Sequence, residues 1–159
     1  EHGPTGGDEI NIHFNLDNKI VENYGWPISS YGIEMPTPYG KEGKFVKESP
    51  LYKSHKDHGF IEPIKYYVPS IAISEIIKIP RTFNEKFTND FFIGALGYKD
   101  QINEGDQSIH HIRFDKNFNK IIFEDVIPIG ERIRDMIFIK EKNTVLMILE
   151  TIPAIAALN

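Results

Sequence analysis

The residues Glu1-His2-Gly3-Pro4-Thr5-Gly6-Gly7-Asp8-Glu9-Ile10-Asn11, followed by Asn23-Tyr24-Gly25-Trp26-Pro27, place a Gly-Pro turn, two carboxylates and a Tyr-Gly-Trp turn in one short segment. Such a segment can hold a hard cation or an anionic ligand. Proline fixes φ and lacks an N–H, so the carbonyls of Gly3 and Pro4 can be presented rigidly. Calcium prefers oxygen ligands, backbone carbonyls included. A plain turn before a strand accounts for the same residues. Glu9 opens a strand and Tyr24 lies in the turn that follows. A carboxylate and a tyrosine carbonyl or hydroxyl can share a calcium ion, with a solvated acidic strand end as the simpler alternative. The glycines do not make a phosphate loop, because no Gly-Lys-Ser/Thr follows them.

Arg132 and Arg134 are two residues apart, so on a strand both side chains leave from one face. Two guanidinium groups side by side suit a polycarboxylate, since each can bind a carboxylate through two N–H groups. The alternative is a pair of surface arginines neutralised by Glu131 and Asp135. His55 and His58 have ligand-like spacing in a loop-rich stretch, but no third partner is evident. His110 alternates with Ile112 and Phe114, which reads as a core-facing histidine, with His111 on the opposite face. His2 has no partner that would make it a base.

The elements that must position these groups read as β-strands. Isoleucine and phenylalanine are abundant and favour strands. Apolar runs recur over residues 9–14, 70–79, 91–96, 109–114, 120–127, 133–139 and 144–149, separated by turn signals such as Asp115-Lys116-Asn117 and Glu141-Lys142-Asn143. No segment carries a helical period over about eleven residues. Residues 28–63 hold Pro36, Pro38, Pro50 and Pro63 and form a long loop excursion. With 159 residues the chain suffices for one domain with a real core, and it is expected to be a single partial domain over 1–159. The signature stands at the first residue, so a piece of a longer protein is expected. Many short strands suggest a sandwich, a barrel or a propeller, and at about 40–50 residues per blade the chain would supply about three blades. A net charge of −5 argues against a nucleic-acid footprint, and no run approaches the length of a membrane span. The absence of cysteine removes thiolate metal sites and disulfides without separating cytoplasm from periplasm. No signal-peptide pattern opens the chain.

At these motifs the sequence resembles the soluble aldose sugar dehydrogenases of the pyrroloquinoline-quinone-dependent glucose/sorbosone dehydrogenase family. The resembling segments are Glu1 to Asn11 and Asn23 to Pro27, then Pro69-Ser70-Ile71-Ala72-Ile73-Ser74, Phe91-Phe92-Ile93-Gly94-Ala95-Leu96, Gly130-Glu131-Arg132-Ile133-Arg134-Asp135, and the tail from Leu149-Glu150 to Ile155. They stand in the family's order and span essentially the whole chain. The resemblance implies the C-terminal half of a six-bladed β-propeller. It implies a calcium- and quinone-dependent oxidation of a sugar by hydride transfer.

The resemblance also implies roles for residues. Gly3, Pro4, Ala95, Arg132 and Arg134 would contact the quinone, and Gly3, Pro4, Glu9 and Tyr24 would ligate calcium. The family's catalytic histidine base lies in an earlier blade, so the chain alone is expected to be inactive. The parent would be periplasmic or secreted, and two copies would pair as a homodimer that closes the ring. The competing expectations are a non-catalytic binding or scaffold propeller and a self-assembling half-propeller. Four positions depart from the family's pattern in ways that bear on how the quinone would be held. Thr5 stands where arginine is common, Gly97 where several relatives place lysine, Val68 where some carry an aromatic or polar residue, and Met35 near a frequent tyrosine. Lys99 lies two residues beyond Gly97.

Overall fold

The computed structural model of the protein describes residues 1–3, 6–14, 16, 17, 19, 21–32, 52–97 and 105–159. Pro4, Thr5, Met35 and Lys99, and most of the 28–63 excursion, therefore lie outside the described residues. Among the described residues the protein is nearly all-β, and its sheets are antiparallel. The chain divides into two compact units, Glu1–Ser70 and Ile71–Asn159.

Among its described residues the first unit carries one short ribbon. Strand β1 (Asp8–Ile10) pairs with β2 (Lys65–Tyr67), with Glu9 opposite Tyr66. A parallel bridge joins Ser29 to Tyr52, and one 3-10 turn spans Lys56–His58. Gly25 organises the turn before Ser29. It adopts φ +98, and its carbonyl accepts from the N–H groups of Ile28 and Ser29 at 2.7 and 2.9 Å.

The second unit holds two up-and-down sheets. Strands β3 (Ile73–Ile79), β4 (Asp90–Ala95), β5 (Ser108–Phe114) and β6 (Ile121–Pro128) form one in sequential order. Strands β7 (Ile133–Ile139), β8 (Thr144–Leu149) and β9 (Ala154–Leu158) form the other. Such antiparallel meanders are the form of a propeller blade. Between them sits the apolar cluster of Ile79, Phe87, Phe92, Ile109, Ile133, Met136, Val145 and Met147. Gly94 permits the close approach, because a Cβ there would lie 3.0 Å from Ile133 Cγ2 and 2.7 Å from Ser74 Oγ.

The strands expected over 133–139 and 144–149 match β7 and β8. Those expected at 91–96, 109–114 and 120–127 match β4, β5 and β6 within one residue at each end. The runs at 9–14 and 70–79 overlap strands shorter than expected, β1 beginning one residue earlier at Asp8, and β2 and β9 were not anticipated. His110 is buried as expected, but His111 on the opposite face is buried too, because β5 is covered on both sides.

Candidate functional site

Strand β1 buries two carboxylates in three residues, Asp8 and Glu9. Acidic side chains are seldom buried without partners, and alternation sends these two to opposite faces. Asp8 Oδ1 accepts from the Gly3 N–H at 3.0 Å, and its Oδ2 accepts from the Ser70 hydroxyl at 2.6 Å. Gly3 is thus fixed by Asp8, and the close backbone of Gly6 and Gly7 leaves no room for a Cβ there.

Glu9 closes a buried chain of three side chains. Its Oε1 lies 3.0 Å from His55 Nε2, and His55 Nδ1 lies 2.6 Å from Ser29 Oγ. Ser29 Oγ also stands 2.7 Å from the Tyr52 carbonyl. A carbonyl only accepts, so the serine proton goes to Tyr52. The serine oxygen then accepts from His55 Nδ1–H, and the Nε2–Oε1 contact shares a further proton. Burial pushes the Glu9 carboxyl up, against the pull of Asn11 and His55, and the net shift is upward. His55 was expected to lack a third partner, and the structure supplies two, Glu9 and Ser29. The 3-10 turn holds it in place, with the His55 carbonyl accepting from Phe60 N–H at 2.9 Å. Tyr31 stacks on the His55 ring at 5.2 Å and on Tyr66 at 3.9 Å. His58 takes no part and stacks on Tyr52.

Tyr24 does not meet Glu9 through its hydroxyl. That group donates to Glu22 Oε2 at 2.6 Å and contacts His13 Nδ1 at 3.1 Å. Burial, reinforced by Glu22, pushes the phenol up to about 12. Among the described residues no group of three or more His, Cys, Asp or Glu side chains is placed to hold a metal. A cation here would instead rely on one carboxylate with amide and carbonyl oxygens, a donor set that suits calcium. Asn11 fits that requirement. Its Nδ2 reaches Glu9 Oε2 at 3.3 Å, while its Oδ1 is buried without a hydrogen-bond partner.

Arg132 and Arg134 do converge, on a residue the sequence reading did not pair with them. Arg132 Nε lies 3.5 Å from Glu150 Oε1, and Arg134 Nη2 ion-pairs with Glu150 Oε2. Glu131 and Asp135, the expected neutralisers, are not their partners. Arg132 immediately precedes β7, and the ladder shifts register between Ile133 and Asp135. The Glu150 N–H donates to the Arg132 carbonyl at 2.9 Å, which brings the start of the β8–β9 turn beside both arginines. Arg132 also donates through Nη1 to the carbonyls of Leu96 and Gly97. Its side chain is 15% exposed, against 54% for Arg134. Ala95 ends β4 fully buried opposite Ile73. Gly97 adopts φ +62, and a Cβ there would lie 2.5 Å from Asp106 Cβ.

The sequence reading missed one charged cluster. Asp90 is fully buried and accepts from Thr88 N–H at 2.6 Å, His111 Nε2 at 2.7 Å and Arg113 Nε at 2.9 Å. Burial alone would raise its carboxyl. The bonds from Arg113, the Thr88 backbone and His111 outweigh that and hold it below the usual carboxylate range. Phe87, Phe92 and Phe123 pack around the His111 ring. The signal was the i, i+2 spacing of His111 and Arg113, which places both on one face of β5.

The sequence profile described as Glucose / Sorbosone dehydrogenase matches residues 1–151. An uncharacterized protein of Synechocystis sp. is 30% identical over 136 residues, 86% of this chain and 27% of its own length. The aldose sugar dehydrogenase YliI of Escherichia coli is 34% identical over 102 residues, 64% of this chain and 24% of its own. The chain thus spans about a quarter of the length of these relatives. Among solved structures, a glucose dehydrogenase matches 94% of this chain and 36% of its own at 25% identity and a TM-score of 0.67. The soluble aldose sugar dehydrogenase of Escherichia coli in its apo form matches 94% and 36% at 27% identity and a TM-score of 0.63. These neighbours are propeller enzymes, and the two meanders described above are blades of that fold. Among the described residues no helix is long and apolar enough to cross a membrane.

Proposed function

The chain belongs to the glucose/sorbosone dehydrogenase family, and on that premise we propose that it forms part of a quinone- and calcium-dependent dehydrogenase that oxidises an aldose hydroxyl. Pyrroloquinoline quinone, when bound, supplies the hydride acceptor. Arg132 and Arg134 would orient that tricarboxylate, while Ala95, fully buried at the end of β4, would support the site from behind rather than touch the cofactor. The observation that carries this reading is the convergence of both guanidinium groups on one carboxylate, that of Glu150. A site that gathers two arginines on one protein carboxylate is suited to a ligand carboxylate.

Calcium is assigned to the carbonyls of Gly3 and Pro4, to Glu9, and to Tyr24 through its carbonyl, since the Tyr24 hydroxyl is committed to Glu22. The buried, unpartnered Asn11 Oδ1 supports an oxygen-rich seat beside Glu9. The general base that removes the sugar hydroxyl proton belongs to a segment outside this chain. The chain alone is therefore inactive, and the whole protein works in the periplasm or outside the cell. Absorption titration with pyrroloquinoline quinone, with and without calcium, tests the reading. Saturable, calcium-dependent binding supports it, and no spectral change with a folded sample overturns it.

The alternative is a propeller that kept the fold and lost the chemistry, with Glu150 as the permanent partner of both arginines. The same titration separates the two. We also infer a two-fold dimer. Its support is the apolar groove on the β7–β9 sheet, lined by Met136, Ile137, Leu146, Ile148 and Ile155 with Asp135 at its side.

A further inference from the structure

We propose that His55 and Ser29 are positioning residues for Glu9, presetting its carboxylate to receive calcium. The inference rests on the reading that Glu9 ligates the ion. A free glutamate loses rotamer freedom when it is fixed. Here that ordering is done in advance. His55 holds Oε1 at 3.0 Å, which leaves Oε2 on the side of Asn11.

The ring that does the holding is itself fixed from both nitrogens and from its face. Ser29 Oγ takes Nδ1 at 2.6 Å and is anchored in turn by the Tyr52 carbonyl. Tyr31 stacks on the imidazole, and Tyr66 stacks on Tyr31. Ser29 and His55 are 1% and 0% exposed. That burial also disposes of the other function a Ser-His-Glu order suggests. A serine nucleophile needs an accessible Oγ facing its base, whereas this hydroxyl is sealed and spends its proton on a backbone carbonyl. What remains is the role that outer hydrogen bonds play at metal sites, where partners of a ligating carboxylate fix its orientation and their removal weakens affinity about 10–100-fold.

The test is calcium calorimetry on the purified chain, comparing wild type with Glu9→Gln, His55→Ala, His55→Gln and Ser29→Ala. The unfolding temperature of each in chelator serves as the stability control. Loss of binding in Glu9→Gln, a drop of about 10–100-fold in His55→Ala, a smaller drop in Ser29→Ala, and near-wild-type affinity in His55→Gln, whose amide nitrogen can still reach Oε1, support the proposal. A purely structural role would lower the chelator unfolding temperature without this ranking of affinities. Wild-type affinity in both Ser29→Ala and His55→Ala, with binding lost in Glu9→Gln, overturns the proposal and leaves the calcium reading intact. No calcium binding by folded wild type overturns both. If His55→Ala does not fold, His55→Gln and Ser29→Ala decide the matter.

Discussion

Asp90 and His111 meet at 2.7 Å inside the β3–β6 sheet, and Arg113 donates to the same carboxylate at 2.9 Å. Removing one member of a buried charged set strands the others, at about 3–5 kcal/mol. Arg113 is a quarter exposed and keeps some access to water. Asp90→Asn should therefore cost about 3 kcal/mol, the low end of that range, read from urea midpoints at neutral pH.

The same carboxyl gives a pH dependence. Its folded pKa is held below the unfolded value of about 3.9. The stability it contributes is present above that value and is lost as pH falls through the folded pKa. The stability gap between wild type and Asp90→Asn should shrink below about pH 4. A gap that widens on acidification would contradict this assignment.

The two site arginines should separate by stability. Arg132 supports the carbonyls of Leu96 and Gly97 and is mostly covered, whereas Arg134 is half exposed. Arg132→Ala should cost about 1–3 kcal/mol through unsatisfied carbonyls. Arg134→Ala should stay within about 0.5 kcal/mol of wild type. Equal losses in denaturant melts would contradict this separation.

Gly97 should tolerate no side chain. Its φ of +62 and the nearby Asp106 make Gly97→Ala costly by about 3 kcal/mol, from left-handed strain plus overpacking. A longer side chain would meet the same obstacle, so Gly97→Lys should destabilise the fold by at least as much, as scanning calorimetry can check.

Association should be visible by light scattering at micromolar concentration. Ile137, Ile148 and Ile155 are 57%, 48% and 73% exposed on one sheet. The β9 sequence, Ala-Ile-Ala-Ala-Leu, carries none of the charges that usually guard an edge strand. A species of twice the 18.3 kDa chain mass is expected. A monodisperse monomer would exclude the dimer.

The strands with turn chemistry at their ends were legible. Glu141-Lys142-Asn143 marks the hairpin between β7 and β8, and both strands fall where the apolar alternation places them. Strand β2 is three residues long inside a proline-rich stretch, and β9 is rich in alanine, a weak strand former, so neither carried a signal. Glu9 and the arginines could be singled out by residue type and spacing, but their partners could not. His55 lies 46 residues from Glu9 along the chain, and turns bring it there. Glu150 reaches the arginines because β8 returns antiparallel to β7 past a register shift, and residue spacing does not encode where a ladder slips.

The most direct measurement is the order of quinone affinities among three forms of the chain, titrated with pyrroloquinoline quinone in the presence of calcium. Glu150 occupies the two arginines that are assigned to the cofactor. Glu150→Gln removes the competing charge and should bind more tightly than wild type. Arg134→Ala should bind about 10–100-fold more weakly, the equivalent of a lost charged hydrogen bond of about 1.5–3 kcal/mol. Identical affinities in all three forms, or no binding by any of them, would contradict the assignment of Arg132 and Arg134 to the cofactor.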